Sequence, residues 1–311
     1  MSKTIKAFAP ASIGNVSCGF DVLGLAVDNP GDVVEASFNN SNRVVVNNIL
    51  GDRGLLPREA DKNTAGVAVL AFLKHIHSSQ GIDLVLHKNL PLGSGLGSSA
   101  ASAVAAVVAV NKLMNEPLER KDLLPFVMEA ELIACGAAHA DNAAPSLLGG
   151  LILIRQNDPL DVINIPTPKD LVCVLVHPHI EIKTRDARQV LKPSISLKDG
   201  ITQWANTAAL VAGMMKSDYG LIGRSLVDVV AEPMRAPLIP NFYQIKSAAL
   251  EAGALGCGIS GSGPTLFALC QGIATARKVS VVMEKEFAAI HLASDVFLSS
   301  VNTLGAKIIG S

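Results

Sequence analysis

Residues 91–102 read PLGSGLGSSAAS. Three glycines, Gly93, Gly95 and Gly97, alternate with small or apolar residues, and the adjacent serines Ser98 and Ser99 open an alanine-rich apolar run to about Val110. Glycine reaches positive φ and, having no Cβ, lets another group approach the backbone closely. Upstream, Ile82 to Leu86 alternates in character and reads as a strand, while the run downstream reads as a helix. A helix that starts behind a glycine loop points its unbonded N–H groups and the positive end of its dipole back into the loop. Strand, loop and helix together therefore make a ready site for an anion, phosphate above all. The dinucleotide pattern fails, because Ser98 stands where its third glycine would be, and no Gly-Lys-Ser/Thr occurs in the chain. Spacing alone leaves a phosphate loop and a plain turn equally open.

The remaining composition narrows the classes. The chain has 311 residues, 49% hydrophobic and 17% charged, enough for two domains and a substantial core. A formal net charge of −1 provides no global field to recruit nucleic acid or membrane, and aromatics at 4% argue against base-stacking platforms. Cys18, Cys135, Cys173, Cys257 and Cys270 are scattered and odd in number, which reads as reduced, buried thiols with neither a disulfide framework nor a zinc site. The N-terminus lacks a signal-peptide core and the longest apolar run, Ala100 to Val110, is too short to span a bilayer. A cytoplasmic location is the expectation.

Working outward, Lys3 to Pro10 reads as a first strand, followed by a small-residue loop that holds Ser12, Asn15 and Asp21 between Gly14, Gly19 and Gly24. Asp21 lies among Phe20, Val22 and Leu23, and a carboxylate buried there needs a cationic or donor partner. Asp32 to Phe38 and Arg43 to Ile49 are expected to pair as strands across the turn Asn39–Asn42. Residues 61–64 look like a helix start, with helical spacing to His77. Leu123 to Cys135 reads as a second amphipathic helix, and of its Glu129 and Glu131, two apart, at most one can face a site. His139, Asp141 and Asn142 then cluster in a loop of small residues, where three polar side chains in four positions point to function. The proline-bearing stretch Asn157 to Lys169 is the candidate domain linkage. Beyond the apolar strand Leu171 to Val176 come Thr184, Arg185 and Arg188 at a helix opening, and Arg235 between prolines, each guanidinium a fork suited to carboxylate or phosphate. A second glycine-serine loop, Gly258 to Gly263, runs into an apolar strand, and two such loops are most simply explained if they approach each other across one ligand.

Three segments in this order, residues 9–27 (APASIGNVSCGFDVLGLAV), 91–102 and 258–269 (GISGSGPTLFAL), resemble the GHMP kinase family. HADNAAPSLLGG, KTRDAR and AEPMRAPLIPNF extend the resemblance over nearly the whole chain. It implies a two-domain α+β fold: a ribosomal S5 domain 2-like ATP-binding unit over residues 1–165 and a ferredoxin-like unit over residues 166–311, with the site in the cleft between them. It implies ATP and Mg²⁺ as cofactors, phosphorylation of L-homoserine on the path to threonine, and allows a homodimer. In the ATP cradle it places Pro91, Leu92, Gly93, Ser94, Gly95, Leu96, Gly97, Ser98, Ser99, Ala100 and Ala101, with Gly261, Ser262 and Gly263 from the second loop. Ser98 or Ser99 and Glu131 would hold the metal. Asn15, Asp21, His139, Asp141, Thr184, Arg188 and Arg235 would bind the amino acid, its ammonium at Asp21 and its carboxylate at the arginines. Where related kinases carry a catalytic aspartate this chain has Asn142, which cannot act as a base, so Asn15 and Asn142 are expected to orient the hydroxyl and Glu131 to complete the catalytic set. The rival readings are a kinase of this family for another small alcohol, a non-catalytic ligand sensor on the same fold, and a dinucleotide-dependent oxidoreductase.

Overall fold

The computed structural model describes residues 3–135 and 140–310. The strands are β1 (Thr4–Gly14), β2 (Leu23–Asn39), β3 (Val44–Leu50), β4 (Gly81–His87), β5 (Leu151–Asn157), β6 (Leu160–Ile165), β7 (Leu171–Pro178), β8 (Gly256–Ile259), β9 (Leu266–Gln271), β10 (Ser294–Ser300) and β11 (Lys307–Gly310). The helices are α1 (Thr64–His75), α2 (Ser98–Leu113), α3 (Leu124–Cys135), α4 (Ala140–Leu148), α5 (Thr184–Gln189), α6 (Leu197–Lys216), α7 (Tyr219–Ser225), α8 (Glu232–Arg235), α9 (Phe242–Glu251) and α10 (Gly272–Ala288).

The strands form two sheets. The first has the order β11-β1-β2-β4-β3, with the β5–β6 hairpin attached to β2. The second is a four-stranded antiparallel sheet ordered β10-β7-β9-β8, and with helices between β7 and β8 and between β9 and β10 it has the β-α-β-β-α-β ferredoxin-like plan. An isolated bridge, Val27 to Val301, and a hydrogen bond from Asn29 N to Ser299 Oγ (3.1 Å) stitch the sheets together. Among the described residues no helix is long and apolar enough to cross a membrane.

Two sequence expectations change. Asp32–Phe38 and Arg43–Ile49 are both strands but do not pair: β4 lies between them, antiparallel to β2 and parallel to β3. A parallel pair requires a crossover, and α1 supplies it. The proposed linkage Asn157 to Lys169 is largely the β5–β6 hairpin, Leu151 opposite Ile165, so the stretch between the sheets shortens to residues 166–170.

Helix α2 is the organising element of the first layer. Its Ala100–Val110 run is buried on every face, with nine of those eleven residues at 0% exposure among the apolar ones. Alanine makes this possible, since its small side chain lets strands and neighbouring helices close in on all sides without cost in side-chain entropy. A helix enclosed in this way cannot shift without repacking the core, and it fixes the loop at its N-terminus. The helix start expected over residues 61–64 is there, and Asn63 caps α1, its side chain accepting from Ala65 N at 3.0 Å.

Candidate active site

The loop before α2 turns through positive φ at Gly93 (59°), Gly95 (77°) and Gly97 (69°). Gly97 is the N-cap of α2 and brings no capping side chain. A Cβ on Gly95 would stand 2.4 Å from the Ser260 carbonyl oxygen, and one on Gly97 would stand 2.4 Å from Ser12 Oγ. Backbone conformation and close approach both require glycine at these two positions. The second glycine loop meets the first directly. Thr265 N donates to Ser94 O (3.1 Å), Ser260 Oγ to Gly95 O (2.8 Å), and Gly261 N to Gly14 O (3.0 Å).

In front of the loop lies a cleft of about 550 Å³. Of the predicted cradle, Leu92, Gly93, Ser94, Gly95, Gly97, Ser98 and Ser99 line it, with Gly261 and Ser262 from the second loop. Leu96, Ala100 and Ala101 are fully buried in the core behind, Gly263 packs against Gly95, and Pro91 lies at the entrance to the loop. Leu55, Leu56 and Pro57 form an apolar side of the cleft, and Lys62 and Lys183 bring cations to it. That mixture suits a ligand with an apolar ring and a polyanionic tail.

Ser98 Oγ is buried with no hydrogen-bond partner among the described residues. Glu131, 7% exposed on α3, lines the same cleft. Burial pushes the Glu131 carboxyl up to about 6, opposed by a hydrogen bond from Ser99 and by the charge of Lys88. A buried hydroxyl oxygen and a carboxylate held above its ordinary range fit a hard divalent cation, which prefers oxygen ligands. Among the described residues no group of three or more His, Cys, Asp or Glu could hold a metal. A cation here would therefore complete its shell from phosphate oxygens and water.

A smaller polar pocket, about 60 Å³, adjoins the cleft. Asn15, Asp21, Asp141, Arg188 and Arg235 line it, and Glu131, Asn142, Thr184, Gly261 and Ser262 line both spaces. Arg188 Nη2 reaches both oxygens of Asp21, at 2.9 and 3.1 Å, and this is the cationic partner that the sequence demanded. Arg235 is only 4% exposed; Nε donates to Ala187 O (3.0 Å) and Nη1 to Gly261 O (2.8 Å). Burial depresses its pKa, against the attraction of Asp21. Both guanidinium groups sit over the Phe20 ring, 5.7 and 5.2 Å from its centroid.

Asn15 and Asp21 adopt left-handed backbone, φ 69° and 59°. Asn15 Oδ1 accepts from Asp21 N (2.9 Å) and its Nδ2 donates to Gly261 O (3.0 Å), so the amide ties the first loop to the second across the pocket. Asn142 Oδ1 accepts from Ser12 Oγ (2.9 Å). The Thr184 and Ser262 hydroxyls lie 3.4 Å apart. Asp141, in the first turn of α4 rather than in a loop, is 4% exposed. Burial, then repulsion from Asp21 and Glu131, pushes its carboxyl up to about 7, with Arg188 opposing. His139 lies outside the described residues.

Sequence reading passed over Lys88, Asp32 and Ser102, which form a buried network under α2, and Glu181 and Lys183 on the cleft rim. A signal for Lys88 was available: a lysine in the apolar context LVLHKNLPL, three positions before the glycine loop begins.

An α+β protein whose glycine loop and helix N-terminus face a cleft that opens onto a small, doubly charged pocket has the build of a small-molecule kinase. The chain belongs to the GHMP kinase family: residues 63–150 match the GHMP kinases N terminal domain and residues 210–289 the GHMP kinases C terminal. It is 53% identical to the homoserine kinase of Chlorobium phaeobacteroides (strain BS1), covering 99% of this chain and 100% of that one. It is 51% identical to that of Chloroherpeton thalassium, again over 99% and 100%. The crystal structure of homoserine kinase from Cytophaga hutchinsonii superposes with a TM-score of 0.97 at 52% identity, covering 99% of this chain and 98% of that one. A mevalonate kinase structure, at 14% identity and a TM-score of 0.71, shares the fold.

Proposed function

We propose that the chain transfers the γ-phosphoryl group of ATP to the side-chain hydroxyl of L-homoserine, giving O-phospho-L-homoserine for threonine formation. One observation carries this reading: a phosphate-type cleft and a zwitterion-sized pocket share the wall Glu131, Asn142, Thr184, Gly261 and Ser262. A hydroxyl bound in the pocket would meet a phosphoryl group in the cleft at that wall.

Asp21 and Asp141 offer negative charge for an ammonium, and Arg188 and Arg235 positive charge for a carboxylate. A zwitterion satisfies both sets, an anionic alcohol such as mevalonate meets the arginines and leaves Asp21 and Asp141 unmatched, and a sugar satisfies neither. That favours an amino acid over mevalonate or a sugar. Because Arg188 and Asp21 are already paired, the substrate would insert its own charges between them, exchanging one salt bridge for two. Asn142, fixed through its oxygen by Ser12, keeps its NH₂ for the acceptor region. The remaining N–H of Asn15 is available in the same way. Neither amide can take the hydroxyl proton. Phosphoryl transfer with a loose transition state needs positioning and charge neutralisation more than a base, so the proton would leave late, to a phosphate oxygen. Ser98, with Ser99 hydrogen-bonded to Glu131, would hold Mg²⁺, which neutralises phosphate charge when bound. Residues 1–165 would form the ATP-binding unit, with β11 completing its sheet, and residues from 166 to the start of β11 the partner unit. The location would be cytoplasmic.

A coupled assay for ADP release with L-homoserine, L-threonine, mevalonate and galactose tests the reading. Turnover confined to L-homoserine is the expected result, and equal or greater turnover with mevalonate or galactose would overturn it. A single essential carboxylate in the pH–rate profile, abolished by Asp141→Asn with L-homoserine binding intact, would overturn the base-free step.

A further inference from the structure

Lys88 follows the last residue of β4 and lies on the floor of the cleft, and its side chain is 2% exposed. A lysine in a phosphate-sized cleft invites assignment as a phosphate ligand. The hydrogen bonds argue otherwise. The ammonium has three N–H donors, and the protein takes all three: the Asp32 carboxylate, Ser98 O at 2.8 Å and Ser102 Oγ at 2.7 Å. Ser102 Oγ in turn donates to Asp32 Oδ2 (2.8 Å), and Asp32 Oδ1 accepts from Asn89 N (2.9 Å) and Leu90 N (3.0 Å). The network is closed, and Asp32 is at 0% exposure.

What it grips is the first turn of α2. Ser98 O and Ser102 Oγ are one turn apart on the helix whose N-terminus carries the glycine loop. That terminus has no capping side chain, because a cap would compete for the N–H groups aimed at the cleft. The helix start is held from beneath instead.

We propose that Lys88, with Asp32 and Ser102, is a positioning device for the phosphate loop: it sets the first turn of α2 against Glu131 and does not itself bind phosphate. This rests on the reading that the cleft takes ATP. The two roles for Lys88 give opposite signs at Asp32. If Lys88 were a phosphate ligand, Asp32→Asn would release its ammonium toward the nucleotide, and ATP would bind as tightly or more tightly. If Lys88 positions the loop, Asp32→Asn breaks the grip and ATP binds more weakly, by about 10- to 100-fold, as an ångström-scale displacement of a binding loop costs.

The experiment is calorimetric titration of Mg-ATP into the wild type, Asp32→Asn and Ser102→Ala, with KM values for ATP and L-homoserine alongside. Ser102→Ala covers the case in which Asp32→Asn does not fold, because it deletes one arm of the grip and leaves the ion pair in place. Weaker ATP binding and a raised KM for ATP, with an unchanged KM for L-homoserine, is the expected result; a general loss of structure would move both. Unchanged or tighter ATP binding in a folded variant would overturn the positioning role. Failure of the wild type to bind ATP would instead overturn the reading of the cleft.

Discussion

Asp141→Asn should make the protein more stable above neutral pH and worse at its work. Below an ordinary aspartate pKa of 3.8 the carboxyl is protonated in the folded and unfolded chains alike, and it contributes no difference. As pH rises from there, the unfolded chain ionises while the folded chain holds its proton up to about 7, so stability falls across that window and then levels off. The span is a little over three pH units, and at 1.36 kcal/mol per unit the penalty at pH 8 is about 4 kcal/mol, or nearer 2 if water partly relieves the burial. Asparagine does not titrate. The variant should therefore match the wild type near pH 4 and exceed it by about 2–4 kcal/mol at pH 8, roughly 3–6 °C in melting temperature for a chain of this size. Urea unfolding of both proteins at pH 4, 5, 6, 7 and 8 without nucleotide measures it directly. Glu131, also raised, titrates in both and largely cancels in the comparison. A gap between the two proteins that does not widen with pH would refute the reasoning. The penalty has a functional counterpart, since an ammonium bound beside Asp141 would stabilise its ionised form. L-Homoserine affinity should rise with pH through about 7 in the wild type and stay flat in the variant.

Gly95→Ala should abolish ATP binding and lower stability by about 2–4 kcal/mol, from left-handed backbone strain and displacement of the Ser260 carbonyl; a melt within 1 °C of the wild type would count against the interlocked loops. Arg188→Met should raise the KM for L-homoserine about 100-fold or more with the KM for ATP unchanged, as steady-state kinetics would show. Glu131→Gln should lower kcat by about 10²-fold or more and weaken Mg²⁺ activation, whereas Ser98→Ala should raise the Mg²⁺ requirement more mildly; a Mg²⁺ titration of activity separates the two, and an unaltered titration in Glu131→Gln would exclude it as a ligand.

The site was legible where its chemistry is written in local sequence. Gly93, Gly95 and Gly97 announce a loop because glycine alone tolerates that backbone, and Asp21 among apolar neighbours announces a partner because a buried carboxylate cannot go without one. Which cation would answer was not legible, since Arg188 lies 167 residues away and only the fold brings them together. The same limit explains β2 and β3. Their sequences carry strand character, and the short polar turn between them resembles a hairpin, but the insertion of β4 is decided by where α1 packs. Lys88 and Asp32 escaped for a different reason. The apolar surroundings of Lys88 hint at burial, but its partner Asp32 lies 56 residues away, and only their pairing makes burial of either charge tolerable.

The first sheet is finished by β11, which lies antiparallel to β1 on the side away from β2. During synthesis β1 emerges before every other strand, yet one of its two edges stays uncovered until residues 307–310 have cleared the ribosome. Until then that edge presents unpaired N–H and C=O groups to whatever strand comes near. A chain halted before residue 307 would leave that seam open on an otherwise assembled first sheet.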